Sequence, residues 1–280
     1  MSLYFETAHD TTLHIRNTQP GTSTTKPLLV FLHYWGGSSA TWHKITSTES
    51  PTSLSSQYPT AADTGSPYSV VKMAADVASV LSQVKGDAEY RGLLTHGFVL
   101  VGHSRGGKVA MATLSTLPTN LLELLRGLVL VAPAPPTVLV LPPEMKEQQK
   151  VAYESAASVR WTVSNVLAGV HNLDPDDMEL IVRNSLIGTG LAKEAWPAYG
   201  MEQDISYDAK VALGPLAKSI KIRVLTGELD VVEPRERVQT QVCRFLEDAG
   251  VQVSFRVVPG AGHLIPLEAP EAIIEEISHF

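Results

Sequence analysis

The sequence predicts an α/β fold: a mostly parallel, doubly wound sheet with helices on both faces and an inserted helical cap. Short, continuously apolar runs alternate along the chain with longer segments of helical periodicity, which is typical of parallel strands joined by crossover helices. Between residues 133 and 215 this alternation stops, and only helical patterns follow. The chain has 280 residues, 44% of them hydrophobic, so it is long enough to bury a large core.

The predicted elements begin with an antiparallel edge hairpin, residues 3–7 and 12–16, that turns at His9 and Asp10. A strand buried on both faces follows at 28–33, because every residue but the last is apolar. The stretch after it is rich in Ser, Thr and Pro and carries a short strand over 56–62 that ends at the turn Asp63-Thr64-Gly65. The remaining predictions are strands at 98–101, 127–132, 222–226 and 252–257, and helices at 38–47, 69–84, 108–117, 235–249 and 270–280.

Two segments, residues 1–132 and 216–280, are expected to form one core domain, and 133–215 a cap inserted between two of its strands. Prolines cluster at the start of this insertion, and helices are predicted over 144–170, 174–187 and 190–201. A pair of ordinary crossover helices is the alternative. The insertion is too long for a single crossover between parallel strands, which favours the cap.

Charge and cysteine content exclude several classes of function. The formal net charge is −7 and no block of basic residues stands out, which argues against nucleic acid and anionic membranes as partners. The N-terminal residues show neither the basic nor the apolar region of a secretion signal, and no apolar run is long enough to span a bilayer. A cytoplasmic monomer or homodimer is therefore expected. The single cysteine, Cys243, forms no intrachain disulfide, and neither a metal nor a cofactor is expected.

The most informative stretch is Gly102-His103-Ser104-Arg105-Gly106, which has the pattern G-x-S-x-G. In this pattern a sharp strand-to-helix turn raises a serine hydroxyl above the sheet, and small flanking residues let the backbone fold back. The pattern by itself also fits a plain Gly-rich turn. A buried strand before it and a helix after it favour a nucleophilic serine at Ser104.

A nucleophilic serine needs a base, and usually a carboxylate that orients the base. Among nine histidines, His263 follows a predicted parallel strand in a Gly-rich turn, so it should lie at the sheet edge where ligands bind. Asp230 follows the preceding strand, with Glu228 and Glu233 as competing acids. Asp230 is preferred because Gly227 opens the turn and the next two residues, Val231 and Val232, can bury the carboxylate.

An oxyanion hole needs two backbone donors near the serine. One is expected at the N–H of Arg105, where the helix begins. The other is expected in the Gly-rich loop after the first buried strand, at Trp35, with Tyr34 as the alternative donor. The Arg105 side chain is assigned a structural role, although contact with an acidic substrate is the other interpretation.

These segments together resemble the α/β-hydrolases. His33-Tyr34-Trp35-Gly36-Gly37 is similar to the family's His-Gly-x-x-Gly loop, and the serine, acid and histidine segments follow in the family's order. The resemblance implies that Ser104 is the nucleophile, Asp230 the acid and His263 the base, with Trp35 and Arg105 as oxyanion donors and the insertion as a cap. Two positions depart from the family: Tyr34 replaces a glycine, and the usual Asp-x-x-Gly-x-Gly signature is reduced to Asp63-Thr64-Gly65-Ser66.

The function expected from this resemblance is hydrolysis of a small, uncharged and fairly apolar ester or lactone through an acyl-enzyme. The same fold also carries cofactor-free haloperoxidases or perhydrolases, C–C bond hydrolases and small-molecule sensors with a slow or silent triad. Tyr34 in the loop is expected to contact the substrate. Bulky side chains of the cap are expected to line the pocket, with Trp161, Trp196 and Tyr199 as the chosen residues and Tyr153, Met201 and Tyr207 as further candidates.

Overall fold

A computed structural model of the chain describes residues 2–6, 12–16, 25–46, 53–57, 68–169 and 173–280. The predicted turn at His9 and Asp10 and the reduced signature at Asp63 to Ser66 lie outside the described residues. Within the described part, eight strands form one sheet in the spatial order β1-β2-β4-β3-β5-β6-β7-β8. The last six strands of this order run parallel, and β1 and β2 are joined to them in antiparallel fashion.

The strands are β1 Ser2–Glu6, β2 Thr12–Arg16, β3 Leu28–Leu32, β4 Ser53–Gln57, β5 Phe98–His103, β6 Leu125–Val131, β7 Lys221–Gly227 and β8 Val253–Val258. The fold class and the parallel strands of the core are therefore confirmed. The expected strand at 56–62 is displaced, because β4 begins at Ser53 and ends at Gln57, and residues 58–62 lie outside the described part.

The helices are α1 His43–Thr46, α2 Val70–Gly86, α3 Arg105–Thr116, α4 Thr119–Leu122, α5 Pro143–Val151, α6 Ala156–Thr162, α7 Pro175–Ile187, α8 Gly190–Ala195, α9 Ser206–Leu213, α10 Arg235–Arg237, α11 Arg244–Asp248, α12 Ile265–Glu268 and α13 Pro270–Ile277. Turns of 3-10 helix occur at Ser39–Trp42, Arg91–Leu94 and Gly214–Leu216. Turns of π-helix occur at Val163–Leu167, Trp196–Gly200 and Val238–Cys243.

Alternate residues of the central strands face two separate apolar layers, as the period of two along a strand requires. In β3, Leu28, Val30 and Leu32 belong to the apolar layer that also contains residues of α2, α3 and α11, whereas Leu29 and Phe31 belong to the other layer, with Trp42 and residues of α13. Helices therefore cover both faces of the sheet, which explains why the central strands read as continuously apolar.

The segment between β6 and β7 contains helices and, in the residues that the structure describes, no strand. The single helix expected over 144–170 is wrong: α5 ends at Val151 and α6 begins at Ala156. Ser155 caps α6 by accepting a hydrogen bond from the Ser158 amide, and a cap of this kind marks a new helix start. Sequence periodicity also missed α9. No helix in the described ranges is long and apolar enough to cross a membrane.

The parallel strands all end on the same side of the sheet, and the loops that follow their carboxyl ends form the site. β3 leads into His33 to Gly37, β5 into Ser104, β7 into Asp230 and β8 into the loop that carries His263. In the sheet, β3, β5, β6, β7 and β8 are neighbours in this order. The four loops therefore lie along the same end of the sheet.

Candidate active site

Ser104 lies in a sharp turn between β5 and α3 with a strained backbone. Its φ is 55° and its ψ is −117°, a conformation that a residue with a side chain rarely adopts. A residue in such a conformation lowers the stability of the fold by on the order of 1–3 kcal/mol, which interactions in the surrounding structure must offset. Here the Ser104 amide donates to the Val131 carbonyl at 2.9 Å, and the Ser104 carbonyl accepts from the amides of Gly107 and Ala134 at 2.9 and 3.1 Å.

Two glycines make this turn possible, as the sequence pattern predicts. A side chain at Gly102 would overlap the carbonyl of Gly106, and one at Gly106 would overlap the carbonyl of Leu32 at the end of β3. Glycine is required at both positions because the helix start packs directly against the backbone of two strands. The turn is thereby fixed against the sheet edge.

His263 and Asp230 form a buried pair. Nδ1 of His263 lies 2.8 Å from Oδ2 of Asp230, and both side chains are almost fully enclosed. A carboxylate only accepts, so Nδ1 carries the proton and Nε2 presents its lone pair. Burial acts to lower the pKa of His263, but the charge of Asp230 and the hydrogen bond to it outweigh burial, and the pKa is raised.

The second oxygen of Asp230 is held by its own loop. Oδ1 accepts hydrogen bonds from the amides of Val232 and Glu233 at 2.8 and 2.9 Å. The sequence expectation that Val231 helps to bury this carboxylate is wrong, because the Val231 side chain is 57% exposed. Asp230 is enclosed instead by these two amides and by the imidazole ring.

The two competing acids form hydrogen bonds to other partners. Oε2 of Glu228 accepts from the Gly260 amide at 2.8 Å, in an exposed turn. Glu233 is buried beside the pair, but its hydrogen-bonding partner is Nη1 of Arg237, at 3.4 Å. Among the three acids, Asp230 is the one that contacts His263.

Glu268, on α12, clamps the loop that carries His263. Its Oε2 accepts from the amides of Gly169 and Gly262 at 2.7 and 2.9 Å, and its Oε1 accepts from the Leu264 amide at 2.9 Å. The amides on both sides of His263 thus bond to one carboxylate. The same carboxylate ties them to Gly169, which follows the π-helical turn Val163–Leu167.

Two further histidines support the site from below. Nδ1 of His33 lies 2.8 Å from the Tyr34 carbonyl and orients the loop after β3. His103 is fully buried, and its Nε2 lies 2.8 Å from the carbonyl of His263. Burial lowers the pKa of His103 well below its usual value, so this ring is neutral.

The loop after β3 is held by a tyrosine from the helical segment. The Tyr153 hydroxyl donates to the Trp35 carbonyl at 2.9 Å, and the two rings meet edge to face with centroids 4.6 Å apart. The indole N–H of Trp35 donates to the Lys193 carbonyl at 2.9 Å. In the described part of the chain, no backbone carbonyl accepts the Trp35 amide, while Arg105 opens α3, where amides point out of the helix end.

Ser104 and His263 line one cavity with an empty volume of about 600 Å³, part of which opens to solvent. Its walls come from the sheet edge and from the helices that follow β6. The lining is mainly apolar and aromatic, with a few polar groups: Tyr34, Trp35, Leu139, Leu141, Met145, Gln148, Gln149, Ala152, Tyr153, Thr162, Val166, Leu167, Trp196, Val232 and Glu233. A mainly apolar wall with a few polar groups is the lining typical of a site for a small organic molecule.

The structure brings Tyr34 and Trp196 to this cavity, but not Trp161 and Tyr199. Trp161 is 53% exposed because the buried face of its helix is formed by Val159 and Thr162. Tyr199 is half-buried and outside the cavity lining. Of the further candidates, Tyr153 lines the cavity, whereas Met201 is buried outside it and Tyr207 is exposed.

Sequence reasoning missed the roles of Glu233 and Glu268. The sequence presents Glu233 only as an alternative to Asp230, whereas in the structure its amide donates to Asp230 and its side chain lines the cavity. Glu268 belongs to an apolar run after His263, and no sequence pattern signals that a carboxylate there bonds three amides.

Known structures share this architecture along the whole chain. An esterase from Thermogutta terrifontis, with malate bound, is 20% identical, with 100% of this chain and 97% of that chain covered and a TM-score of 0.69. An esterase from Exiguobacterium antarcticum is 15% identical (100% and 98% covered, TM-score 0.76), and a bromoperoxidase from Bacillus anthracis is 12% identical (100% and 99%, TM-score 0.77). At these identities the likeness shows a common fold.

Comparison with curated protein sequences found no significant match. A sequence model described as the alpha/beta hydrolase family matches residues 29–276, which include every loop of the candidate site. The match confirms the resemblance seen in the motifs: this chain belongs to the alpha/beta hydrolase family.

Proposed function

We propose that the protein is a serine hydrolase that cleaves a small, fairly apolar ester or lactone through an acyl-enzyme intermediate. The observation that carries this proposal is the buried contact of 2.8 Å between His263 and Asp230, with Ser104 in a strained turn on the same cavity. The contact fixes the imidazole tautomer that can accept a proton through Nε2.

In the proposed reaction, Oγ of Ser104 attacks the acyl carbon while Nε2 of His263 takes the hydroxyl proton. The charge of Asp230 stabilises the imidazolium that results. The amides of Trp35 and Arg105 donate to the developing oxyanion; the Tyr34 amide is the alternative to that of Trp35. His263 then returns the proton to the leaving alcohol. Water, activated by the same nitrogen, releases the acid and frees Ser104.

Residues 133–215 act in this proposal as a cap over the reacting groups. Met145, Tyr153 and Trp196 from this segment line the same cavity as Ser104, and in this proposal they supply apolar surface for the substrate. The backbone hydrogen bond of 2.6 Å from the His263 amide to the Leu167 carbonyl connects this segment to the proposed base.

The test is reaction with a serine-directed fluorophosphonate, followed by mass spectrometry of the modified peptide, together with rates for a panel of short-chain aryl esters and lactones. Addition at Ser104, and loss of both labelling and turnover in Ser104→Ala, are the expected results. Labelling at another residue, or ester turnover that persists in Ser104→Ala, would overturn the proposal. Adding hydrogen peroxide to the same panel separates hydrolysis from perhydrolysis.

A further inference from the structure

Glu233 is an acidic side chain in the cavity wall for which the proposed reaction has no use. Its side chain is buried, 1% exposed, and lines the cavity with Ser104 and His263. Its amide bonds to Asp230 and its carbonyl accepts from Thr226 at 3.2 Å, so the backbone that presents it is fixed. A carboxyl group buried in this way is costly unless it is well paired.

The pairing that Glu233 receives from the protein is weak. Nη1 of Arg237 lies 3.4 Å from Oε2, beyond the ordinary range of a charge-assisted hydrogen bond, and the same nitrogen donates at 2.7 Å to the Val232 carbonyl. The ammonium of Lys108 is buried nearby but donates to the Thr137 carbonyl at 2.9 Å. Burial raises the pKa of Glu233 to about 8, which Arg237 and His263 only partly oppose and the neighbouring Asp230 reinforces.

The rest of the cavity wall also suits a positively charged ligand. Its described lining contains the rings of Tyr34, Trp35, Tyr153 and Trp196 and neither lysine nor arginine. Aromatic faces attract ammonium groups in a desolvated site. In addition, Oε1 of Gln149 is buried without a hydrogen-bond partner among the described residues. The cavity wall therefore contains a second acceptor that can bind a hydrogen-bond donor of the ligand.

We infer that Glu233 forms an amine-binding subsite, so that the substrate is an ester or lactone with a protonated amine on an otherwise apolar frame. This deepens the proposed function, on which it rests, and replaces the uncharged substrate expected from the sequence. The carboxylate of Glu233 accepts hydrogen bonds from the ammonium, and the proton that the carboxylic acid carried in the empty site passes to solvent. No other bond forms or breaks on binding.

Binding without turnover tests the subsite separately from catalysis. In Ser104→Ala protein, calorimetry at pH 7 compares 2-phenylethylamine, mostly a cation at this pH, with 2-phenylethanol, its uncharged isostere. We expect the amine to bind about 10-fold or more tightly than the alcohol, since the charge-assisted hydrogen bonds and the aromatic contacts of the ammonium together outweigh the roughly 10-fold cost of ionising Glu233 at this pH. Equal affinities would overturn the inference.

The same experiment with Glu233→Gln in the Ser104→Ala background should abolish the preference for the amine. Glu236→Gln is the matched control: this neighbouring glutamate is exposed, and the preference should survive its replacement. A preference that persists in folded Glu233→Gln protein contradicts the assignment. Glu233→Asp, which retains the charge on a shorter side chain, should give an intermediate preference and serves if Glu233→Gln does not fold.

Proton release supplies a readout that a merely structural glutamate would not produce. At pH 7, binding of the amine should release close to one proton per ligand, seen as a binding heat that depends on the ionisation enthalpy of the buffer. Binding of the alcohol should release none. If wild-type protein hydrolyses no ester at all but these binding results hold, the proposed function fails and the amine subsite stands.

Discussion

The ring of His103 donates through Nε2 to the backbone carbonyl of His263, 2.8 Å away. His103, the residue that precedes Ser104 in the turn, therefore supports the loop that carries the proposed base, His263. Ring centroids 5.0 Å apart show that the two imidazoles also pack against each other. Serine turn and histidine loop are thus connected beneath the cavity, with Trp42 and Tyr34 closing around the His103 ring.

His103→Phe should lower both stability and turnover. It preserves an aromatic ring but leaves the buried His263 carbonyl without its donor, a loss of about 1–3 kcal/mol in the free energy of unfolding. We expect kcat for an aryl ester to fall about 10-fold, with a smaller change in KM, because the base is displaced and the substrate pocket is not. Urea unfolding and steady-state kinetics measure both effects; an unchanged kcat would contradict the positioning role.

Asp230→Asn should reduce kcat by a factor on the order of 10³ to 10⁴, because the amide can stabilise the wrong tautomer of His263 and supplies no charge. In wild-type protein, kcat/KM should rise as pH increases through the pKa of His263, since the base must be neutral. Asp230 raises that pKa, so the residual activity of the variant should have its acidic limb at lower pH.

The comparison variant for Asp230 is Glu228→Gln, which can still accept from the Gly260 amide. Its pH profile and kcat should stay within a few-fold of wild type. A loss of activity in Glu228→Gln as large as that in Asp230→Asn would show that the acid is misassigned.

Glu268→Gln should weaken the positioning of His263. A carboxylate accepts with both oxygens from the amides of Gly169, Gly262 and Leu264, whereas glutamine presents an N–H₂ group to at least one of them. We expect kcat to fall about 10-fold with little change in KM. The exposed Glu271→Gln is the control on the next helix and should behave as wild type. A change confined to KM would exclude a role through His263.

The buried Lys108 should make stability depend on pH in the alkaline range. Burial lowers its pKa to about 8 in the folded protein, against about 10.4 in an unfolded chain. Between these values the unfolded state binds more protons, so Lys108 makes the free energy of unfolding rise with pH, by at most about 1.4 kcal/mol per pH unit.

Denaturant unfolding of wild type and Lys108→Met at pH 7.5, 9 and 10 isolates this contribution, because the other titrating groups are common to both proteins. The stability of wild type relative to the variant should increase with pH. An identical pH dependence in the two proteins would show that Lys108 titrates with its ordinary pKa.

The fold was predictable because its signals are local. Continuously apolar strands such as β3 and β5 and the glycines around Ser104 show their structure in a few adjacent residues. The break between α5 and α6 was missed because the apolar pattern continues across it, while a single serine cap at Ser155 starts the new helix. The prediction that Trp161 lines the pocket was wrong for a similar reason. A bulky aromatic residue in the cap is a natural candidate for a pocket wall, but the position of Trp161 on its helix places the side chain in solvent.

The sequence by itself determined the parallel core and the four loops at one sheet edge, because strand order along the chain and loop position at strand ends follow from local pattern. Only the tertiary structure decided which groups meet. Asp230 rather than Glu233 contacts His263, since the amides of Val232 and Glu233 hold the Asp230 carboxylate toward the ring, while the Glu233 side chain lines the cavity. Contacts of this kind join residues distant in sequence, and hydrogen-bond geometry selects among side chains that composition cannot distinguish.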